Sequence, residues 1–153
     1  MSGLSFLSFF KKRFFSKKEE KLIVDAIRAA ELGTSGEIRV HFSKSIDNDV
    51  MTDAQAIFTK LKMHETERRN GVLIYIVPSK KQFAILGDTG FHQIAGDDFW
   101  NTVKTLMLGY FKEGLFAIGI VKGIEEVGRI LKPHFPRESN DINELNDEIS
   151  YGE

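Results

Sequence analysis

Four acidic residues are the side chains of this sequence best suited to bind a cation: Glu37, Asp88, Asp97 and Asp98. Carboxylate oxygens are preferred ligands of Ca²⁺, while Mg²⁺ takes fewer carboxylates and keeps more water. The 153-residue chain contains no cysteine, and its four histidines show no ligand spacing, so zinc is less favoured. We therefore predict an oxygen-liganded metal, Ca²⁺ or alternatively Mg²⁺, if these acids meet in the fold.

Three apolar segments predict the β-strands that would position these acids. Residues 36–43 alternate between apolar and polar side chains, which is typical of a half-buried strand. Residues 71–77 are continuously apolar and predict a central strand that is buried on both faces. A short turn then leads to residues 82–86, which we expect to pair antiparallel with the central strand.

Helical periodicity and capping signals account for most of the remaining chain. Ser16 and Glu19 form a capping box before an apolar stripe, and Thr52 and Gln55 form a second one. Glycines interrupt the apolar face of the last helix, which predicts close approach of another backbone, and Pro133 is expected to end that helix. Helices are predicted at about 17–32, at 53–66, from Asp97 or Asp98 to about 111, and at 114–131.

The resulting element order, αβαββαα, predicts an α/β fold in which a layered α/β/α sandwich is built on a mixed sheet of three to four strands. A helix joins the first two strands, so we expect them to be parallel, with the third antiparallel to them. The start of the first two strands and the end of the third then share one sheet edge. Glu37, Asn70, Asp88 and the Asp97–Asp98 pair should meet there, with Arg69 and Asn70 at the rim.

Each of these residues also has a simpler interpretation that the sequence leaves open. Asp97 could be a helix N-cap, and Asp98 could be a first-turn acid favoured by the helix dipole. Asp88 could do no more than shape a turn, and Glu37 could do no more than pair with an arginine. The predicted convergence, rather than any single residue, favours a site.

The formal net charge of −1 conceals two oppositely charged ends. Residues 1–18 contain five basic residues and no acidic ones, and five of the 13 phenylalanines lie in residues 1–15. Aromatic and basic residues together suit a membrane interface, so a membrane surface is one candidate contact of residues 1–15; the alternative is a frayed arm, or an arm that packs on the domain or on a partner. Residues 137–153 contain six acids and one arginine, which suits a flexible tail that binds a protein partner, and nothing favours nucleic acid.

Four motifs follow one another along the chain: Gly36-Glu37-Ile38-Arg39-Val40, the segment 69–74, the segment 83–90 that ends in Gly-Asp-Thr-Gly, and Asp97-Asp98-Phe99-Trp100. In order and spacing they resemble the motifs of the TPM-domain family. The resemblance covers about 20–136, within an organisation of a basic aromatic arm (1–16), the domain (17–136) and an acidic tail (137–153). It implies divalent-cation binding, mainly of Ca²⁺, at Glu37, Asp88, Asp97 and Asp98.

These observations leave three functional hypotheses from different classes. The first is a non-catalytic, calcium-binding module that acts in membrane-protein maintenance or assembly. The second is a metal-dependent acid phosphatase, which the family's usual description implies but for which no residue stands out as a nucleophile. The third is a protein-interaction adaptor that uses the acidic tail. The expected location is the cytoplasm, with peripheral association at the inner membrane face as the alternative.

Overall fold

A computed structural model describes residues 15–137 and 149–152 of the chain. Two short 3₁₀ turns, Met63–Glu65 and Pro78–Lys80, lie beside the regular elements. In chain order the regular elements are α1 (Lys17–Glu31), β1 (Glu37–Phe42), α2 (Val50–Lys60), β2 (Gly71–Val77), β3 (Gln82–Gly87), α3 (Thr89–Ala95), α4 (Asp97–Lys112), α5 (Phe116–His134) and β4 (Ser150–Tyr151).

The four strands form one mixed sheet in the order β3-β2-β1-β4. β1 is parallel to β2, with Glu37 opposite Gly71, and β3 is antiparallel to β2, with Gly87 opposite Val72. The predicted α/β class, the mixed sheet and both strand directions are therefore confirmed. The sheet also places Glu37, Gly71 and Gly87 at one edge, as the connectivity required.

Helices cover both faces of the sheet. On one face, α1, α4 and α5 pack on alternate residues of β1 and β2, including Ile38, Val40 and Ile74, which are fully buried. On the other face, α2 packs on the remaining side chains of β2, among them Leu73 and Tyr75. β2 is buried along its whole length because both of its faces are covered.

Three of the predicted helix boundaries are wrong for identifiable reasons. α2 ends at Lys60 rather than near residue 66, because Lys62 has a φ of +59° and the 3₁₀ turn Met63–Glu65 follows it. α2 begins at Val50 rather than near residue 53, because the Asp49 side chain accepts a hydrogen bond from the Thr52 amide at 2.8 Å and caps the helix there. α5 continues through Pro133 to His134, and the amide of Phe135 still donates to the carbonyl of Leu131 at 2.8 Å. A proline in the last turn removes one helix hydrogen bond without ending the helix.

Two elements were not predicted at all. α3 fills the interval between β3 and α4, where Asp88 caps its first turn and Gly96, with φ of +79°, separates it from α4. β4 is two residues long and extends the sheet beside β1. The rest of the acidic tail, residues 138–148 and 153, lies outside the described residues, as do residues 1–14 of the arm.

The glycines of α5 allow close helix packing, as the sequence predicted. A Cβ atom on Gly128 would lie 2.8 Å from the Cβ of Ala30 in α1, and one on Gly123 would lie 2.6 Å from the Met107 sulfur in α4. α5 therefore contacts both neighbouring helices at positions where a methyl group would not fit. None of the helices in the described part of the chain has the length and apolar character needed to cross a bilayer.

Gly128→Ala should destabilise the domain by about 2 kcal/mol, because α1 and α5 would have to separate to admit the methyl group. Gly109→Ala is the matched control: Gly109 also lies inside a helix, but a Cβ there would meet nothing within 4 Å. That variant should gain about 0.5 to 1 kcal/mol from helix propensity. Urea unfolding monitored by circular dichroism measures both values, and equal effects at the two positions would contradict the packing argument.

Candidate functional site

The edge formed by the starts of β1 and β2 and the end of β3 is here called the acidic edge. Glu37 begins β1, Asn70 precedes β2, and Asp88 follows β3. The Asp88 amide donates to the carbonyl of Gly71 at 2.9 Å, which ties the end of β3 to the start of β2. The backbone convergence predicted from the topology is therefore present.

Asp88 makes the strongest polar contacts at this edge. Its side chain is only 5% exposed, and it accepts hydrogen bonds from Arg69 Nε at 2.7 Å and from Arg69 Nη2 at 3.0 Å. The Thr89 amide donates to Asp88 Oδ1 at 2.7 Å. This bidentate hydrogen bonding and the charge of Asp88 raise the pKa of the Arg69 guanidinium. Because the Arg69 side chain is 49% exposed, the ion pair can be reached from solvent.

The backbone of Arg69 is held in a conformation that few side chains adopt. Its φ is +52°, and its carbonyl accepts hydrogen bonds from the amides of Gly90 at 2.8 Å and Phe91 at 3.3 Å. A Cβ on Gly90 would lie 2.2 Å from the carbonyl oxygen of Arg68. The loop before β2 thus lies directly on the first turn of α3, and this packing positions Arg69 against Asp88.

A cleft of about 440 Å³ opens beside Asp88. Its polar lining consists of the Asp88 carboxylate and of neutral or weakly basic side chains. Sequence reasoning did not identify the contribution of α2 to this cleft, because it depends on how α2 packs across the sheet. The lining residues are Gln55, Phe58, Leu86, Gly87, Asp88, Thr89, His92 and Gln93.

Arg69, predicted at the rim, bonds to Asp88, whereas the predicted metal ligands Glu37, Asp97 and Asp98 lie elsewhere along the acidic edge. Glu37 is fully buried at the start of β1, two strands from Asp88, which corresponds to roughly 10 Å between their backbones. Asn70 is 1% exposed and donates from Nδ2 to the Ser35 hydroxyl at 3.1 Å. Asp97 is 91% exposed in the first turn of α4, and Asp98 beside it is also exposed. Asp97 is not the N-cap of α4, since Gly96 occupies that position.

His92 connects the cleft to α4. Trp100 Nε1 donates to His92 Nδ1 at 2.9 Å, while His92 Nε2 lies 3.4 Å from Asp97 Oδ1. Since Nδ1 accepts this hydrogen bond, the neutral imidazole carries its proton on Nε2, facing Asp97. The side chain that links Asp97 to the cleft is thus a histidine with both ring nitrogens engaged.

The positions of these side chains determine which ions the acidic edge could hold. Among residues 15–137 and 149–152, no three His, Asp or Glu side chains lie together as a set that could hold a metal ion. A cation beside Asp88 would have one carboxylate, the neutral oxygens of Gln55, Thr89 or Gln93, and water. These donors suit a hard cation that binds weakly. Arg69 would have to release at least one oxygen of the Asp88 carboxylate to the ion.

The sequence and the fold of this chain are similar to those of known proteins. A sequence model of the TPM domain matches residues 10–130. The NMR structure of BA42 protein from the psychrophilic bacterium Bizionia argentinensis is 47% identical to this chain, with a TM-score of 0.85, over 92% of this chain and 97% of that one. No curated protein matches the chain significantly.

Two more distant structures share the fold. The N-terminal domain of a protein from P. gingivalis is 18% identical, with a TM-score of 0.67, over 81% of this chain and 82% of that one. The N-terminal domain of cg2496 protein from Corynebacterium glutamicum is also 18% identical, with a TM-score of 0.64, over 87% of this chain and 84% of that one. At this identity they support the architecture alone.

Proposed function

Since this chain belongs to the TPM-domain family, we propose that its domain is a non-catalytic module that binds a divalent cation, chiefly Ca²⁺, at the acidic edge. One observation carries the proposal: a buried carboxylate, Asp88, lines an open cleft beside neutral side-chain oxygens. Oxygen donors of this kind are what Ca²⁺ requires, and its flexible coordination tolerates several waters. Asp97 and Asp98, at the start of α4, would add negative potential without being direct ligands.

The site should be weak, and Arg69 explains why. A single carboxylate with neutral oxygens belongs at the low-affinity end of calcium sites, at about 10⁻⁴ to 10⁻³ M. The guanidinium of Arg69 already engages both oxygens of Asp88, so a cation has to compete with it. Because the Arg69 side chain is half exposed, it can move into solvent when an ion arrives. The proposed site therefore responds to millimolar changes in Ca²⁺.

Calcium titration followed by amide NMR tests this function. We expect shifts centred on Thr89, Gly90 and His92, smaller shifts with Mg²⁺, and loss of both in Asp88→Asn. Arg69→Gln should bind about tenfold more tightly, because it removes the competing charge while Asp88 remains.

Asp97→Asn is the control for this titration, since it removes an acid of the same edge that lies outside the cleft wall. Its affinity should change by less than about threefold, as expected for an exposed charge screened by water. A titration that leaves Thr89 and Gly90 unmoved at millimolar Ca²⁺ would refute the site. Shifts that persist unchanged in a folded Asp88→Asn variant would show that the ion binds elsewhere.

The phosphatase alternative has less support from the geometry. Asp88, the acid that lines the cleft, accepts three hydrogen bonds from Arg69 and Thr89. These hydrogen bonds engage both carboxylate oxygens, so Arg69 would have to move before either oxygen could attack a phosphate ester. A role in membrane-protein maintenance or assembly remains part of the proposal, and it is motivated by the basic and aromatic residues 1–15.

A further inference from the structure

The sheet has one outer strand, β3, whose outer side pairs with no other strand in the described part of the chain. The Asp88 amide donates to the Gly71 carbonyl at 2.9 Å, and hydrogen-bonded pairs alternate with non-bonded pairs along an antiparallel ladder. Phe83, Ile85 and Gly87 therefore direct their amides and carbonyls away from β2. No hydrogen bond from another described segment reaches these groups, which are here called the open side of β3.

The opposite side of the sheet, beside β1, is closed. The Ile38 amide donates to the Glu31 carboxylate at 2.7 Å, so a side chain occupies the position where a neighbouring strand would bind. Further along β1, the Ser150 hydroxyl of β4 donates to the Val40 carbonyl at 3.3 Å. One side of the sheet is thus blocked by a carboxylate and a short strand, while the other is left unpaired.

β3 also lacks the features that usually keep an edge strand from pairing. Such strands commonly carry charged side chains, a proline or a β-bulge. Residues 82–87 read Gln-Phe-Ala-Ile-Leu-Gly, without charge or proline, and their register with β2 contains no bulge. Lys80 and Lys81 precede the strand, and Asp88, which is bound by Arg69, follows it. A charged segment paired with the middle of β3 would lose hydration without gaining a counter-charge, so the open side selects an uncharged one.

The cleft beside Asp88 adjoins the end of the open side. Leu86 and Gly87 of β3 line it together with Phe58 of α2. Since residues opposite each other on neighbouring strands point to the same face, an added strand would place one side chain beside Leu86, towards Phe58 and the cleft. On the other face, a Cβ on Gly87 would lie 2.6 Å from the Trp100 ring, so the indole covers this glycine. The residue opposite Gly87 would contact Trp100.

We propose that the open side of β3 binds an extended, uncharged peptide segment of a partner protein, which joins the four-stranded sheet as an additional antiparallel strand. Main-chain hydrogen bonds to Phe83, Ile85 and Gly87 would supply the affinity. A large apolar side chain in the cleft and a second one on Trp100 would supply the selectivity. Antiparallel addition continues the pairing of β2 with β3 and is the more stable arrangement per residue. The inference requires no bound ion and stands apart from the cation site.

Two other occupants fit the open side less well. A small ligand in the cleft would leave the backbone of Phe83 and Ile85 unpaired, because neither residue lines the cleft. A second copy of the chain would pair through its own β3 about a two-fold axis, which brings together residues of the same sheet face. Over most of the strand this pairing places Gln82 or Ala84 beside Leu86, and neither is a large apolar side chain that would fill the cleft.

Amide exchange of the full chain, measured by NMR in EDTA, tests the proposal independently of the cation. The probe is the acetylated and amidated peptide Thr-Val-Leu-Val-Thr-Val. At millimolar concentration it should slow exchange of the Phe83, Ile85 and Gly87 amides by at least about tenfold. The amides of Ala84 and Leu86, which already bond to β2, should change little. The same peptide N-methylated at its two central residues is the control and should have no effect, because it lacks the main-chain donors.

A pair of variants at one position isolates the main-chain contact. Phe83→Pro and Phe83→Ala both remove the ring, but only proline removes the outward amide, and an edge strand tolerates proline where its nitrogen faces solvent. Phe83→Pro should bind the peptide about tenfold more weakly than Phe83→Ala, since one acceptor of the peptide is left unpaired. Fluorescence of Trp100, the only tryptophan of the chain, measures both affinities.

A second pair of variants tests the cleft. Phe58→Ala removes one of its walls and should weaken peptide binding by about tenfold. Leu22→Ala removes an apolar side chain of α1 that is 48% exposed, and its affinity should stay within about twofold of wild type. Circular dichroism establishes that each variant is folded before affinities are compared.

Four outcomes would overturn the proposal. The first is unchanged exchange of the Phe83, Ile85 and Gly87 amides at millimolar peptide. The second is equal slowing by the N-methylated peptide, which would show binding without strand pairing. The third is equal affinity of folded Phe83→Pro and Phe83→Ala variants. The fourth is protection of the same amides without peptide that rises with protein concentration, which would assign the open side to a second copy.

Discussion

Gly90→Ala is expected to lower the free energy of unfolding by about 3 kcal/mol. For a chain of this length, that loss corresponds to a fall of roughly 10 °C in the melting temperature. The added Cβ would lie 2.2 Å from the carbonyl oxygen of Arg68 and 2.8 Å from that of Arg69. Both obstacles are backbone atoms, so no side-chain rotation can relieve the overlap.

The consequence should extend to the candidate site. The Gly90 amide donates to the Arg69 carbonyl at 2.8 Å, and the same loop holds Arg69 with a φ of +52° against Asp88. Pushing the loop away from α3 would break that backbone contact and lengthen the Arg69–Asp88 hydrogen bonds. We expect the Arg69 Nε–H signal to lose its protection from solvent exchange in Gly90→Ala, as measured by NMR.

Thr89→Ala is the control, because it alters the adjacent residue, whose side chain is exposed. Its unfolding free energy should stay within about 0.5 kcal/mol of wild type. If Gly90→Ala is as stable as Thr89→Ala, the loop before β2 does not lie on α3 as closely as described. If it is destabilised while the Arg69 signal stays protected, the loop and the ion pair are independent.

The sheet edge shared by the starts of β1 and β2 and the end of β3 could be predicted from sequence, because it follows from chain connectivity. A helix between β1 and β2 makes those strands parallel, and a short turn makes β3 antiparallel. These two rules alone bring Gly71 and Gly87 to the edge where Glu37 lies. Connectivity says nothing about side-chain direction, however, and Glu37 turned out to be fully buried while Asp97 is almost fully exposed.

The Arg69–Asp88 pair was beyond sequence reasoning for a specific reason. Arginine rarely adopts a positive φ, and nothing in the segment before β2 signals that Arg69 does so. The seven-residue helix α3 and the two-residue strand β4 are too short to show a hydrophobic period. β4 in addition depends on a partner strand more than a hundred residues away.

The second large expected effect is a pH dependence of stability, and it arises from His41, a buried histidine beside the short strand β4. Its Nδ1 lies 2.7 Å from the Ser150 hydroxyl, and its ring stacks on Tyr75 with centroids 5.5 Å apart. The Ser150 hydroxyl donates to the Val40 carbonyl at 3.3 Å, so its oxygen can accept from Nδ1–H. Nε2 is buried and has no hydrogen-bond partner among the described residues.

Burial, followed by the charges of Arg39 and Lys60, lowers the pKa of His41 from 6.5 to about 4. Above pH 6.5 the ring is neutral in both the folded and the unfolded chain, and it contributes no pH dependence. Between pH 6.5 and 4 the unfolded chain takes up a proton that the folded chain does not. Stability should therefore fall as the pH is lowered through this window, by about 3 kcal/mol in total.

The variant His41→Gln isolates this contribution, since glutamine is polar but does not titrate. Unfolding free energies of wild type and variant, measured by urea denaturation from pH 7 to pH 4, should converge as the pH falls. Wild-type and variant curves that stay parallel would show that the pKa of His41 is the same in the folded and in the unfolded chain. An NMR titration of the His41 ring protons provides the direct value, which we expect near 4.

The short length of β4 determines how the protonated ring is accommodated. Only Ser150 and Tyr151 pair with β1, at His41 and Phe42, so this segment can open without unfolding the domain. If detaching residues 149–152 costs less free energy than keeping His41 neutral, this segment will detach before the domain unfolds. The loss of global stability will then be limited to the free energy of that detachment. Amide exchange at Tyr151 would then accelerate below pH 6 while the amides of β2 remain protected, which distinguishes release of β4 from unfolding of the sheet.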